Sequence, residues 1–159
     1  MRFMAATVVV ALGLVGCGGG EQATQDEAAQ PAAEQTQPAA TGAGETGTVH
    51  RVDMEGDGTR YWFAPDQLTI KSGDRVEFVN VSGGPHNVAF YENQIPAGAK
   101  AVLEAAMAGR TLGPLSGNFV TAADEVYAIS FAGAPAGDYG MFCLPHEALG
   151  MKMTLTIQP

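Results

Sequence analysis

Met151-Lys152-Met153-Thr154-Leu155-Thr156-Ile157, close to the end of the chain, alternates apolar and polar side chains without a break. A period of two puts one set on each face of an extended backbone, so this stretch predicts a half-buried β-strand. Working back from it, shorter runs of similar kind lie at 49–54, 68–71, 76–81, 87–91, 125–131 and 138–142. Turn-forming residues separate most of them, as in Lys71-Ser72-Gly73-Asp74 and Ala134-Pro135-Ala136-Gly137-Asp138. About seven or eight short strands in roughly 110 residues predict an all-β sandwich. Residues 96–109 depart from the pattern. They are rich in Ala, place Leu103 and Met107 one turn apart, and are bounded by Pro96 and Gly109, which predicts a short helix in a long connection.

The 159 residues suffice for one domain with a segment to spare. Acidic residues number 17 against 8 Lys and Arg, and the net charge of −9 argues against nucleic acid, where cations must neutralise phosphates. With three His and two Cys, the chain offers no HExxH, no close cysteine pair and too few imidazoles for a multi-histidine copper cluster. These shortages argue against catalytic metal chemistry, and the chain is not expected to be an enzyme.

Three segments follow from composition. Residues 1–16 carry one charge, Arg2, followed by a mostly apolar run from Phe3 to Val15, too short for a membrane span but suited to a signal peptide. The run ends in Leu14-Val15-Gly16-Cys17, which resembles a bacterial lipobox whose cysteine becomes lipidated. Cys17 is therefore expected to carry a lipid that holds the chain to a membrane, outside the cytoplasm, in the periplasm or at the cell surface. Residues 17–47 contain no Lys, Arg, aromatic or large aliphatic residue, and are expected to form a disordered acidic tether. Its flexible reach is roughly 30 Å. Residues 48–159 are the expected domain.

The chemistry concentrates in two predicted turns. One reads Cys143-Leu144-Pro145-His146-Glu147-Ala148-Leu149-Gly150-Met151, and the other, far upstream, Gly83-Gly84-Pro85-His86-Asn87. Together they offer two imidazoles, one thiolate and one thioether, the donor set of a blue-copper electron-transfer site. Thiolate and thioether suit Cu(I), and imidazole suits both oxidation states. His86, Cys143, His146 and Met151 are thus the candidate ligands of one type 1 copper ion. Pro145 stiffens the turn between two of them. Asn87 either hydrogen-bonds across to the Cys143 loop and orients it or satisfies its own strand. His50, on an alternating strand, reads as a surface or core residue rather than a ligand.

With these residues in view, the chain resembles the plastocyanin-like cupredoxins, a group that includes halocyanins and pseudoazurins. The resemblance rests on Phe63-x-Pro65-x-x-Leu68-Thr69-Ile70-Lys71-x-Gly73-Asp74-x-Val76-x-Phe78-x-Asn80, on Pro85-His86-Asn87-Val88-x-Phe90 with Glu92-x-x-Ile95-Pro96, and on Cys143-x-Pro145-His146-x-x-x-Gly150-Met151. It implies an eight-stranded Greek-key sandwich with copper at one end. It also implies that His146 presents an outer edge through an apolar patch, for which Leu144, Pro145 and Leu149 are the candidates. Two features depart from plant plastocyanins. Phe142 stands where they carry a Tyr, and Glu92 alone follows Tyr91 where an acidic run is expected, which argues against a side-on acidic docking mode.

The resulting expectation is a monomeric, extracytoplasmic carrier of single electrons. Its partners would be redox proteins such as a c-type cytochrome or a membrane oxidoreductase. In residues 48–159, seven Lys and Arg against twelve Asp and Glu leave a charge of −5, which favours a basic partner. The alternative is a copper protein for storage, delivery or resistance, using the same ligands without turnover.

Overall fold

The computed structural model describes residues 47–107, 109 and 112–159. The expected leader, Cys17 and all of the expected tether except Gly47 lie outside the described residues. Eight strands are present among the described residues: β1 (Val49–Gly56), β2 (Tyr61–Ala64), β3 (Gln67–Lys71), β4 (Arg75–Asn80), β5 (Ala89–Phe90), β6 (Val126–Ser130), β7 (Gly137–Phe142) and β8 (Lys152–Gln158). They form two four-stranded sheets, ordered β2-β1-β4-β6 and β3-β8-β7-β5. The chain changes sheet between β2 and β3 and at each following step up to β7, the interleaving of a Greek-key sandwich. Strands β1 and β4 are parallel, as are β3 and β8, and the remaining pairs are antiparallel.

The alternation read from the sequence sets the core. Met153, Leu155 and Ile157 of β8 are buried, opposite Tyr139 and Met141 of β7, while Val52, Met54, Val76, Phe78, Tyr127 and Ile129 line the other sheet. Each such side chain contributes about 1.5–3 kcal/mol when fully buried. Phe63 and Phe78 meet edge to face at 6.1 Å, as do Phe131 and Tyr139 at 6.2 Å.

One strand lies outside the expected runs, and two expected elements are shorter than read from the sequence. Strand β2 was not anticipated, because Tyr61-Trp62-Phe63-Ala64 lacks alternation and only Phe63 is buried. The strand expected at 87–91 is reduced to Ala89–Phe90, because Asn87 turns aside to bond the Cys143 loop and Tyr91 leads into a 3₁₀ turn at Glu92–Gln94. The helix expected at 96–109 is α1 (Ala99–Ala106), which begins after Gly98 in a left-handed conformation (φ 85°) and buries Ala99 and Leu103. Elsewhere strand ends move by one or two residues. The connection after α1 has a structural task, since residues 116–120 run antiparallel beside the first-histidine segment through bridges His86–Val120 and Ala89–Ser116.

The start of the domain is tied down by Asp74. Its carboxylate accepts the Lys71 N–H (2.9 Å), the Thr48 N–H (2.8 Å) and His50 Nε2 (2.8 Å). These bonds, led by the Lys71 N–H and then His50, hold the carboxyl well below its ordinary value, at about 2. A carboxyl with a depressed folded value stabilises the fold above its unfolded value near 3.8, and that contribution disappears as pH falls toward 2. Thermal melts of copper-free protein should therefore show Asp74→Asn below wild type at pH 7, with the gap closing between about pH 4 and pH 2. A gap constant across that range would mean that ionised Asp74 is not the tie.

Candidate metal centre

His86 reaches the site on a turn that needs glycine, because Gly83 and Gly84 both have positive φ (72° and 81°). Asn80, fully buried at the end of β4, closes that turn from inside. Its Nδ2 donates to the carbonyls of Gly84 (2.9 Å) and Val120 (3.3 Å), and its Oδ1 accepts the Gly83 N–H (3.0 Å). His86 then exchanges both backbone bonds with Val120, at 3.0 and 2.9 Å. The imidazole Nε2 lies 3.1 Å from Ser82 Oγ. That contact leaves Nδ1 facing inward.

The second turn begins where β7 ends. Cys143 donates its N–H to Met151 O (3.1 Å), His146 donates to Cys143 O (3.0 Å), and Met151 donates to His146 O (3.1 Å). Residues Leu144–Leu149 form a 3₁₀ turn with Pro145 in its first positions, and Gly150 (φ 91°) reverses the chain into β8. Three predicted donors thus sit on one short loop closed by its own backbone.

The two turns meet. Cys143 Sγ lies 3.7 Å from His86 Nδ1 and 3.5 Å from His146 Nδ1, and the three donor atoms are all within 4.8 Å of one another. Bonds of roughly 2.0–2.3 Å from thiolate and imidazole to a first-row ion, at tetrahedral angles, separate the donors by about 3.5 Å. The cluster therefore fits a copper ion. Cys143 and His86 are fully buried and His146 is 8% exposed, while Met151 is fully buried with its backbone bonded to both Cys143 and His146.

Asn87 bridges the turns. It donates its backbone N–H to Cys143 Sγ (3.5 Å) and accepts the Leu144 N–H at Oδ1 (2.7 Å). Its Nδ2 donates to Ser116 Oγ (3.0 Å) and Gly117 O (3.2 Å), so it is bound on both sides of the site. His50 lies elsewhere, on β1 against Asp74.

Electrostatics keep this cluster uncharged. Burial pushes the Cys143 thiol up to about 11, against the opposing pull of the Asn87 and His146 N–H groups. Burial, and then the charge of neighbouring His146, hold His86 down at about 4, and burial lowers His146 as well.

Two residues were not singled out in the sequence. Tyr61 of β2 lies flat on His146, with ring centroids 3.7 Å apart and planes 2° from parallel. It sits in the strand that the alternation pattern missed. Phe119, beside the Val120 that pairs with His86, is 40% exposed. Leu144 and Leu149, expected to border the site, are 45% and 53% exposed.

Removing the bridge has a calculable effect. Asn87→Ala strands the Leu144 N–H and loses both Nδ2 bonds, and should cost about 2–3 kcal/mol in urea unfolding of copper-free protein. A loss below about 0.5 kcal/mol would mean that the turns hold together without it.

Comparison with known proteins agrees with this architecture. Residues 50–158 match the family model for copper binding proteins of the plastocyanin/azurin family. The chain is 37% identical over 107 residues to a plastocyanin of Scenedesmus fuscus, covering 67% of this chain and 97% of that one. It is 35% identical to a plastocyanin of Ulva prolifera over the same shares. The solved structure of the oxidised form of plastocyanin from Dryopteris crassirhizoma superposes with a TM-score of 0.54 at 27% identity, covering 68% of this chain and 99% of that one. A sandwich with two ligand-bearing turns brought together at one end, matched along nearly its whole length, places the chain in the plastocyanin/azurin family of copper-binding proteins, as a plastocyanin-like cupredoxin.

Proposed function

We propose that His86, Cys143, His146 and Met151 hold one type 1 copper ion, and that the chain carries single electrons between redox proteins outside the cytoplasm. The observation that carries this reading is the approach of Cys143 Sγ to both imidazole Nδ1 atoms, at 3.7 and 3.5 Å, from turns 57 residues apart in the chain. Copper bound there supplies a one-electron couple, with no substrate bond made or broken. The protein's part is to hold the donors still, so that little rearrangement accompanies the change of charge. Asn87 and Asn80 fix the two turns, and Tyr61 fixes the plane of His146. Cys143 gives up its proton when the metal binds.

His146 supports an exit route for the electron, because it is the least buried of the three clustered donors and its chain neighbours Leu144, Pro145 and Leu149 are exposed. A partner would dock there through a small interface of the kind used by brief redox encounters. The charge of −5 over residues 48–159 favours a basic partner such as a c-type cytochrome. Lipidation at Cys17, read from Leu14-Val15-Gly16-Cys17, would hold the protein to a membrane and restrict where it meets such partners.

Loading with Cu(II) should turn the protein blue and release about one proton per chain near pH 7, since the thiol is the group that must ionise. Cys143→Ser should fold, stay colourless and release almost none. A blue Cys143→Ser protein would mean that the wrong thiolate has been named. Stopped-flow reduction by a c-type cytochrome separates the carrier from a copper store. Rapid, reversible reduction that slows with added salt is expected, whereas ready surrender of copper to an acceptor protein and sluggish electron exchange would favour storage or delivery.

A further inference from the structure

Tyr91 touches the last loop at three places, and each is the immediate neighbour of one of that loop's three donors. Its ring stacks on Phe142, which precedes Cys143, with centroids 4.4 Å apart and planes 27° from parallel. Its hydroxyl donates to Glu147 Oε1 at 2.7 Å, and Glu147 follows His146. Lys152, which follows Met151, holds its ammonium 5.8 Å from the ring centroid and 3.9 Å from the Glu147 carboxylate. The Tyr91 backbone is itself fixed, because its N–H donates to Gly140 O at 3.0 Å.

We propose that Tyr91 is a positioning residue for the metal loop: by gripping Phe142, Glu147 and Lys152 together, it holds Cys143, His146 and Met151 in one arrangement. The proposal rests on the ligand assignment above. It acts independently of Asn87, which bonds Leu144 and the 116–117 segment instead. Burial, reinforced by the Glu147 carboxylate, pushes the phenol up to about 12, so the hydroxyl keeps its proton and remains a donor at ordinary pH. The same contacts engage the Glu147 charge with a phenol and an ammonium. This face is thereby committed to holding the loop.

The test uses the full chain, copper-free and Cu(II)-loaded, with two variants. Tyr91→Phe keeps the ring and loses the hydroxyl. Glu147→Gln keeps an acceptor and loses the charge. In copper-free protein, amide hydrogen exchange is followed at Gly150 and Met151, whose N–H groups close the loop on Glu147 and His146. Exchange there should quicken about five- to tenfold in Tyr91→Phe and stay within about twofold of wild type in Glu147→Gln. Amides of β4 and β6 should be unaffected by either. In loaded protein, Tyr91→Phe should broaden the copper hyperfine lines of the EPR spectrum, and Glu147→Gln should leave them sharp. Unchanged exchange at Gly150 and Met151 in Tyr91→Phe overturns the proposal, as does an equal quickening of all amides. A Glu147→Gln protein as loose as Tyr91→Phe overturns it too, because charge rather than the hydrogen bond would then be holding the loop. If wild type failed to turn blue with Cu(II), the ligand assignment would fall instead, while the copper-free exchange would still judge the grip.

Discussion

A thiol and two imidazoles buried side by side have no reason to ionise, since burial disfavours thiolate and imidazolium alike. Cys143, His86 and His146 are all pushed toward their neutral forms by it. Only a cation arriving among them reverses that preference for the thiol. Before it arrives, the donors must be kept at contact distance without an ion pair among themselves. The fold meets this with backbone bonds and neutral amides. Asn80 makes two hydrogen bonds to the first turn and a third to Val120 beside it, and Asn87 spans from the first turn to the second. Both are fully buried, which makes those bonds costly to break.

The opposite end of the sandwich is organised by the reverse principle. Asp74 stands just before β4 and Asn80 ends it, six residues on, a separation of roughly 20 Å at ~3.3 Å per residue. At the Asp74 end a carboxylate gathers two backbone N–H groups and His50. Because β1 and β4 are parallel, the chain enters the domain at Thr48 on this charged end and runs toward the neutral one. The entry at Thr48 thus lies at the end of the domain remote from the clustered donors. Acid that protonates Asp74 attacks the entry of the chain and not the donors directly.

Local pattern and remote contact divide what the sequence made legible. Strand β8 was plain because Met153, Leu155 and Ile157 alternate with polar neighbours, and the donor set was plain because a thiol, two imidazoles and a thioether rarely fall into two turns by chance. Strand β2 was hidden because its four residues bury one side chain, so no period exists to be read. The 116–120 segment was hidden for a different reason. Its pairing with 86–89 is fixed by backbone bonds between residues about 30 apart, and Ser116-Gly117-Asn118-Phe119-Val120 shows no period of its own. Asn80 and Tyr91 act through contacts that join residues 40 and 56 positions apart, which no local rule exposes. Asn87 was legible because it adjoins a candidate ligand.

The surroundings of His146 decide how the molecule can meet another protein. Tyr61 lies against the ring of His146 and Nδ1 is turned toward Cys143 Sγ, which leaves the residue 8% exposed. Its chain neighbours Leu144, Pro145 and Leu149 are exposed and uncharged, while Glu147 is partly exposed and engaged by Tyr91 and Lys152. The −5 over residues 48–159 acts at a distance and raises the encounter rate with a basic surface. A contact made through these apolar side chains would hold a partner weakly. Weak holding suits a carrier that must leave after each electron. A charged rim would lengthen each visit, and a deeper burial of His146 would lengthen the path the electron travels.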